Sequence, residues 1–521
     1  DMVRRMRTVL MATAALRDHG EDPEMLADLQ HSLADSYSAM PLLRRTWLES
    51  LGHLHAAQGN WSEAAYCHVH VAALLAEYLK RTGVFKFGCE LFRTVSANIQ
   101  QDESEMKNDG GANQDIQITD EDFIEKIEEC VQYLLNAERF ELLGFLYRLI
   151  IPIYEERRAF PALASAYKVL YEANQRIIEL NQTGRRRLGT YFRVGFYGAS
   201  YFEDLHGQEY VYKEPKVTSL AEFSERLKNL YGSRFGSANI HLITDSAKVK
   251  SEDLDPQLGY IQVTHVSPHF ERSPSPGSSP VKGGGGSSVL VTPATANVHS
   301  SPGGSPGSGP LQIPTGPAQS EYDRHTNVQK FVFETPFTKD GRARGVVVEQ
   351  YKRRTILTTK RSFPYVVKRI LVSSRYSREL SPLEVALDEV QSKTEELREV
   401  LLAVPTDLKR LQLRLQGSVQ ATVNAGPLAY AEAFMTEEQM AIYFGEKLVE
   451  LRETFKQFLL VSWECLELNG RLIVSDQQDY HQLLVENFQS LVQKLTEIFN
   501  CPMLGDDSEA QKSTVAPVTQ K

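Results

Sequence analysis

The sequence predicts a mainly α protein with a β-rich middle lobe. Helical periodicity governs residues 1–183 and 381–502, and runs of period two govern 184–380 between them. Three observations carry this. An apolar stripe starts at Leu42-Leu43-Arg44-Arg45-Thr46-Trp47-Leu48 and resumes from Trp61 to Leu79 after Gly59-Asn60. At Thr190 the pattern switches to TYFRVGFY, aromatic and β-branched, which suits a pleated strand. At Ser381-Pro382-Leu383-Glu384 a helix start is spelled out, with Ser as cap, Pro at the first position and Glu at the third.

The elements follow in order. In residues 1–183 the pattern Trp47…Leu51…Gly59…Ala64-Ala65 resembles a tetratricopeptide helix pair, with small residues where two helices approach closely. A second pair is expected over Phe123–Tyr154 and Pro161–Ile178, after an acidic loop from Asp102 to Asp122. Strands are expected at 190–197, 209–212, 240–244, 260–266, 330–335, 346–350, 354–359 and 365–372, paired antiparallel. Ser219–Tyr231 is expected as a short capped helix. Residues 271–320 are Ser/Gly/Pro low complexity and are expected to be disordered. From Ser381, helices are expected at 382–402, 407–416, 428–434, 437–468 and 474–499. Their short connections imply an antiparallel bundle, ahead of a polar, flexible tail at 503–521.

Composition narrows the function. With 521 residues, 42% hydrophobic and 24% charged, cores of ordinary size are available. A net charge of −10 argues against a general nucleic-acid or membrane binder. Five cysteines, an odd number without a CxxC pair, read as reduced and structural in a cytoplasmic protein with no zinc site. A chain that begins at Asp1 reads as a piece of a longer protein. No P-loop, kinase signature set, GxSxG elbow or HExxH is present. His53/His55 and His68/His70 sit two residues apart, which on a helix turns the side chains about 200° from each other, so neither pair chelates alone. No metal is expected, and the scattered carboxylates read as solvated faces.

One stretch stands apart. LQGSVQATVNAGPLAYAEAF, Leu415–Phe434, reads as a helix that stops at Gly417. An apolar loop with Val419, Ala421, Val423 and Ala425 follows, and a new helix begins after Gly426-Pro427. Loops are usually polar. This one is either an apolar finger for a partner or a buried kink between helices.

GTYFRVGFYG (189–198), EYVYKEPKVTSLAEFSERL (209–227), YIQVTHVSPHF (260–270), FVFETPFT (331–338), KRRTILTT (352–359), FPYVVKRI (363–370), LSPLEVAL (380–387) and the interrupted helix together resemble the catalytic homology region of the dedicator-of-cytokinesis family. GRRRLGTYFRV, FVFETPFT and VNAGPLAYA are most similar to its zizimin branch. The resemblance implies a dimerising helical-repeat lobe (1–183), a GTPase-binding lobe of two antiparallel sheets (184–380) and a catalytic helical bundle (381–502). It implies guanine nucleotide exchange on a Rho-family small GTPase without covalent chemistry, the cell-division-control type favoured over Rac. Mg²⁺ and GDP/GTP would belong to that partner, leaving this chain with no cofactor. Val423 would be the nucleotide sensor, with Asn424 beside it and Val419 as the alternative register. Gly417, Ala425, Gly426 and Pro427 would shape the loop. Leu380, Ser381, Pro382, Gln416 and Ser418 would help place the GTPase, and Lys352, Arg353 and Arg354 would meet an acidic surface or else line a solvated strand edge. Membrane contact would come from regions outside this chain. The rival reading is a non-catalytic scaffold that uses the helical repeats.

Overall fold

A computed structural model describes residues 7, 9–14, 22–104, 118–183, 186–215, 217–270, 320–341, 345–403, 406–420, 426–443, 445–474 and 477–504. The Ser/Gly/Pro segment up to residue 319 and the tail from 505 lie outside them.

The first region is helical. Its main helices are α1 (Pro23–Ser36), α2 (Pro41–Ala57), α3 (Trp61–Arg81), α4 (Asp120–Asn136), α5 (Leu143–Glu156) and α6 (Phe160–Thr183). Local chemistry sets their ends. The Asp22 carboxylate caps α1 by accepting from the Glu24 and Met25 amides at 3.0 Å, with Pro23 at the first position. Thr119 and Asp122 cap α4 reciprocally. Gly59 takes φ +75 in the turn between α2 and α3, where the absence of a Cβ removes the strain. Helix α3 is buried on nearly every side from Ser62 to Leu79, because α2, α4 and the short helical segments at 89–103 all pack on it.

Seven strands form the middle region: β1 (Thr190–Tyr197), β2 (Glu209–Glu214), β3 (Ile240–Ile243), β4 (Gly259–Pro268), β5 (Val328–Phe337), β6 (Tyr351–Phe363) and β7 (Arg369–Leu380). The order β1-β2-β7-β6-β5-β4 closes on itself through β1–β4, and β3 adds beside β4. Strands β4 and β7 change partners along their length. β4 pairs with β1 and then β5, and β7 pairs with β2 and then β6. The two expected sheets are therefore joined into one barrel-like circuit. Pairing is antiparallel except at β3–β4, which is parallel. The antiparallel expectation fails there because residues 244–258 give the crossover length of about a dozen residues that parallel neighbours need. Residues 346–350, expected as a strand, include a 3-10 turn at Val347–Glu349. Val347 and Val348 pack on the core of the last region, which removes them from any ladder. Helix α7 (Leu220–Phe235) is capped by Ser219 as expected and runs four residues further.

The last region holds α8 (Pro382–Leu401), α9 (Leu408–Val419), α10 (Pro427–Phe434), α11 (Glu437–Ile442), α12 (Gly445–Leu472) and α13 (Gln478–Phe499) around one apolar core. The single helix expected over 437–468 is divided. Tyr443 turns extended and its ring meets Phe434 at 5.9 Å, so packing overrides helical periodicity there.

The first and middle regions share one core. It runs from Leu48, Val69 and Phe123 to Tyr191, Phe331, Phe363 and Val366. Charges are paired at this junction, and one pair is fully buried. Lys213 on β2 meets Glu63 on α3 at 2.6 Å, with both side chains at most 2% exposed. Arg361 meets Asp102 at 2.7 Å, and Arg369 reaches Asp28. Within the first region Arg44 binds Glu103 through two 2.8 Å hydrogen bonds. The acidic stretch expected as a loop thus contributes two buried carboxylates, because burying a charge is tolerated only beside its counter-charge.

Candidate functional site

A cleft of 1540 Å³ opens between the middle and last regions. One wall comes from the ends of β5 and β6 and the turn between them, with Phe337, Val347 and Tyr351. The other wall is α10, with Leu428, Ala429 and Ala433. The opposite face of α10, Pro427, Ala431 and Phe434, is buried in the core. Residues three and four apart share a helix face, so α10 is anchored by one stripe and offers small, half-buried residues to the cleft on the other.

The interrupted helix lies at the root of that wall. Helix α9 runs to Val419, past Gly417, where no neighbour lies within 4 Å of an added Cβ, so a side chain there meets open space. Its buried face is Leu411, Leu415, Ser418 and Val419. Val419 is 2% exposed and belongs to the core of the last region, so it is not part of an apolar loop. The alternative register is corrected on that ground, since a side chain locked in the core cannot reach a partner. Gln416 is exposed and accepts the Tyr480 hydroxyl at 3.2 Å, while the Gly417 carbonyl accepts the Lys393 ammonium at 3.3 Å. Gln420 turns extended. Val423, Asn424 and Ala425 lie outside the described residues. The chain returns at Gly426, with φ +93, a conformation that favours glycine, and Pro427 opens α10 at its first position.

The strand register brings two other predicted groups together. Lys352 lies opposite Leu380 and Arg353 opposite Glu379 on β6 and β7. Leu380 and Pro382 are buried, and Ser381 caps α8 reciprocally with Glu384. Burial alone would raise the Glu384 carboxyl. The Ser381 amide and hydroxyl and the Lys447 charge outweigh it and hold the carboxyl down at about 2. The basic run is already paired. Lys352 reaches Glu389 and lies 3.2 Å from Glu334, and Arg354 reaches Glu334 and, at 2.6 Å, Asp388. Glu389 and Asp388 are on α8, so these two cations tie β6 to the last region. Arg353 lines the cleft, pairs with Glu379 at 2.8 Å and stands over the Phe337 ring. Sequence reasoning missed Phe337, Val347, Tyr351, Ala429 and Ala433 as a common surface. The spacing of Ala429 and Ala433 was a signal for one wall, but nothing local placed the β5–β6 turn opposite it.

The four histidines do not share one site. His55 Nε2 meets the Val366 carbonyl at 2.9 Å, and His70 Nδ1 meets the Glu103 carboxylate at 2.8 Å. His53, His68 and Glu129 bring ligand atoms within 4.8 Å of one another, a grouping across three helices that the pairwise spacing argument did not anticipate.

A helical region that shares one core with a β circuit, joined across an open cleft to a second helical region, defines the class of fold. Family profiles give the class its name. DHR-2 lobe A matches residues 28–179, DHR-2 lobe B 305–362 and DHR-2 lobe C 396–498. The chain belongs to the dedicator-of-cytokinesis family. It is 43% identical over 512 residues to dedicator of cytokinesis protein 9 of Mus musculus, covering 96% of this chain and 23% of that protein. It is 44% identical over 503 residues to protein 11 of Danio rerio, covering 96% and 22%. Against protein 9 of Rattus norvegicus the identity is 37% over 551 residues, covering 98% of this chain and 69% of that protein. The chain thus spans under a quarter of the length of the first two relatives.

Proposed function

We propose that this chain is a guanine nucleotide exchange factor region that grips a Rho-family small GTPase in the cleft and promotes GDP release. The observation that carries it is the cleft itself: its helical wall, α10, begins where the interrupted helix resumes. Packed helices end at Val419 and begin at Pro427, and the second of them lines the surface a partner would occupy. Val423 would enter the partner's Mg²⁺ site. A valine offers no oxygen ligand and excludes water, so the ion and the phosphate charge it compensates would be released. Because binding equilibria are reciprocal, a factor that prefers the nucleotide-free GTPase weakens nucleotide affinity by the same factor. No covalent bond is made or broken in that cycle.

The finer features belong to this proposal. Preference for the cell-division-control type over Rac rests on the zizimin-like segments. Homodimerisation through the tetratricopeptide-like first region is supported by α6, where Phe160, Tyr167, Tyr171 and Ile178 are 49–67% exposed. At 100° per residue these four fall on one line along the helix, the stripe a second helix would cover. The last region would act as the catalytic bundle. The protein would work in the cytoplasm and be brought to membranes by regions outside this chain. Among the described residues no helix is long and apolar enough to cross a membrane.

The test is release of fluorescent GDP from GTPases of the cell-division-control, Rac and Rho types. Acceleration is expected for the first. Val423→Ala should keep GTPase binding and slow release at least about tenfold, equivalent to about 1.4 kcal/mol. An unchanged release rate overturns the sensor assignment, and no acceleration of any GTPase overturns the exchange reading in favour of a scaffold.

A further inference from the structure

We propose that His53, His68 and Glu129 form a binding site for a divalent transition-metal ion of the zinc class, which staples α2, α3 and α4 together. The three residues come one from each helix, and their ligand atoms lie within 4.8 Å of one another. His68 is the reason to look for an ion there. Its side chain is fully buried, yet neither ring nitrogen has a hydrogen-bond partner. An unpaired buried polar group is costly, so a histidine in such a place calls for a ligand. The ring is also held in one orientation. It stacks on Tyr133 at 4.3 Å and 10°, and its Nε2 lies 2.7 Å from where a Cβ on Gly52 would stand. Gly52 therefore leaves the room the ring fills, and Nδ1 is turned toward Glu129.

The distances suit one ion. His68 Nδ1 is 3.4 Å from Glu129 Oε1. Two ligands of a tetrahedral zinc, each about 2.0–2.1 Å from the metal, stand about 3.3 Å apart. The contact is too long for a good hydrogen bond and close to the spacing of two ligands. The His53 ring approaches the His68 ring at 5.7 Å, tilted by 57°, and completes a third side. The other oxygen of Glu129 accepts from Lys126 at 2.6 Å, and Lys126 also pairs with Glu49 at 2.6 Å. An outer partner that fixes a ligating carboxylate is typical of metal sites. Lys126 also brings a positive charge, which Glu49 and Glu129 balance. His53 is exposed, so the ion keeps one side toward solvent. Three nitrogen and oxygen ligands with an open position are a zinc-class set.

The experiment uses the whole chain, stripped with chelator and titrated with Zn²⁺ by calorimetry, then with Co²⁺ followed by its visible absorption. One ion per chain is expected, together with a higher melting temperature and the visible bands of cobalt in a low-symmetry site. His53→Ala, at an exposed position, should keep the fold by circular dichroism and weaken binding at least tenfold. Glu129→Gln should do the same. Unchanged stoichiometry and affinity in both variants overturns the proposal. So does uptake that survives His53→Ala and is lost in Cys89→Ser, because Glu77, Cys89 and Glu90 form the other grouping of ligand atoms among the described residues.

Discussion

The β-rich region meets a helical region on each side, and the two junctions are built differently. On the side of the first region, apolar residues of helices and strands form one core, and the Lys213–Glu63 charge pair is buried. On the side of the last region, the contacts are half-exposed ion pairs of Lys352 and Arg354, a turn bearing Val347 and Val348, and an open cleft of 1540 Å³. Buried apolar area and desolvated charge resist separation, whereas exposed ion pairs contribute little. The first junction therefore resists separation more than the second. The second is a jaw, with an open cleft between its two faces.

The largest expected effect is at the welded junction. Glu63→Gln leaves Lys213 buried without its counter-charge and should cost about 3–5 kcal/mol in urea unfolding. A cost below about 1 kcal/mol would mean that this junction is no tighter than the jaw.

Acid should attack the same side next. Burial would raise the Glu103 carboxyl, but Arg44 and then His70 outweigh it and hold it at about 2, below its ordinary 4.5. The unfolded chain then binds a proton that the folded chain refuses. This stability is complete above pH 4.5 and lost as pH falls toward 2, up to about 3 kcal/mol. His55 has the same sign over a higher window. Burial, the main cause, lowers it from 6.5 to about 4, so stability declines as pH falls between those values. Stability measured against pH in Glu103→Gln and His55→Gln should show flatter acid limbs.

At the jaw the effects should appear in binding before stability. Ala433→Arg on the cleft face of α10 should weaken GTPase binding at least tenfold, about 1.4 kcal/mol, with a small change in melting temperature. Pull-down or calorimetry with the nucleotide-free GTPase checks it. The smallest effect is expected at Arg354→Ala, whose half-exposed ion pairs should be worth about 1 kcal/mol or less by chemical denaturation.

Much of the fold was legible locally. The Ser381–Glu384 helix start, the Gly59-Asn60 turn and the strand at Thr190 are chemistry within a few residues, and the structure has them as read. The misread pieces depend on distant contacts. Val346–Gln350 has strand residues but packs on helices, Tyr443 breaks a periodic run to meet Phe434, and β3 pairs parallel because of what lies beside it. The candidate site divides the same way. Gly426 and Pro427 were readable because one suits a positive φ and the other a first helical turn. Val419 was not, since a valine two residues past a glycine looks alike in a loop or in a core until the neighbouring helices are in place.

By itself, then, the sequence determined the order of helical, β-rich and helical regions, the main helix caps and the interrupted helix, because each depends on neighbours within a turn or two of chain. The tertiary structure decided that the strands close one circuit, that Glu63 and Glu103 are buried rather than solvated, that Lys352 and Arg354 are paired inward, and that His53, His68 and Glu129 converge. Those outcomes depend on which surfaces lose water when distant segments meet, and no local pattern records that.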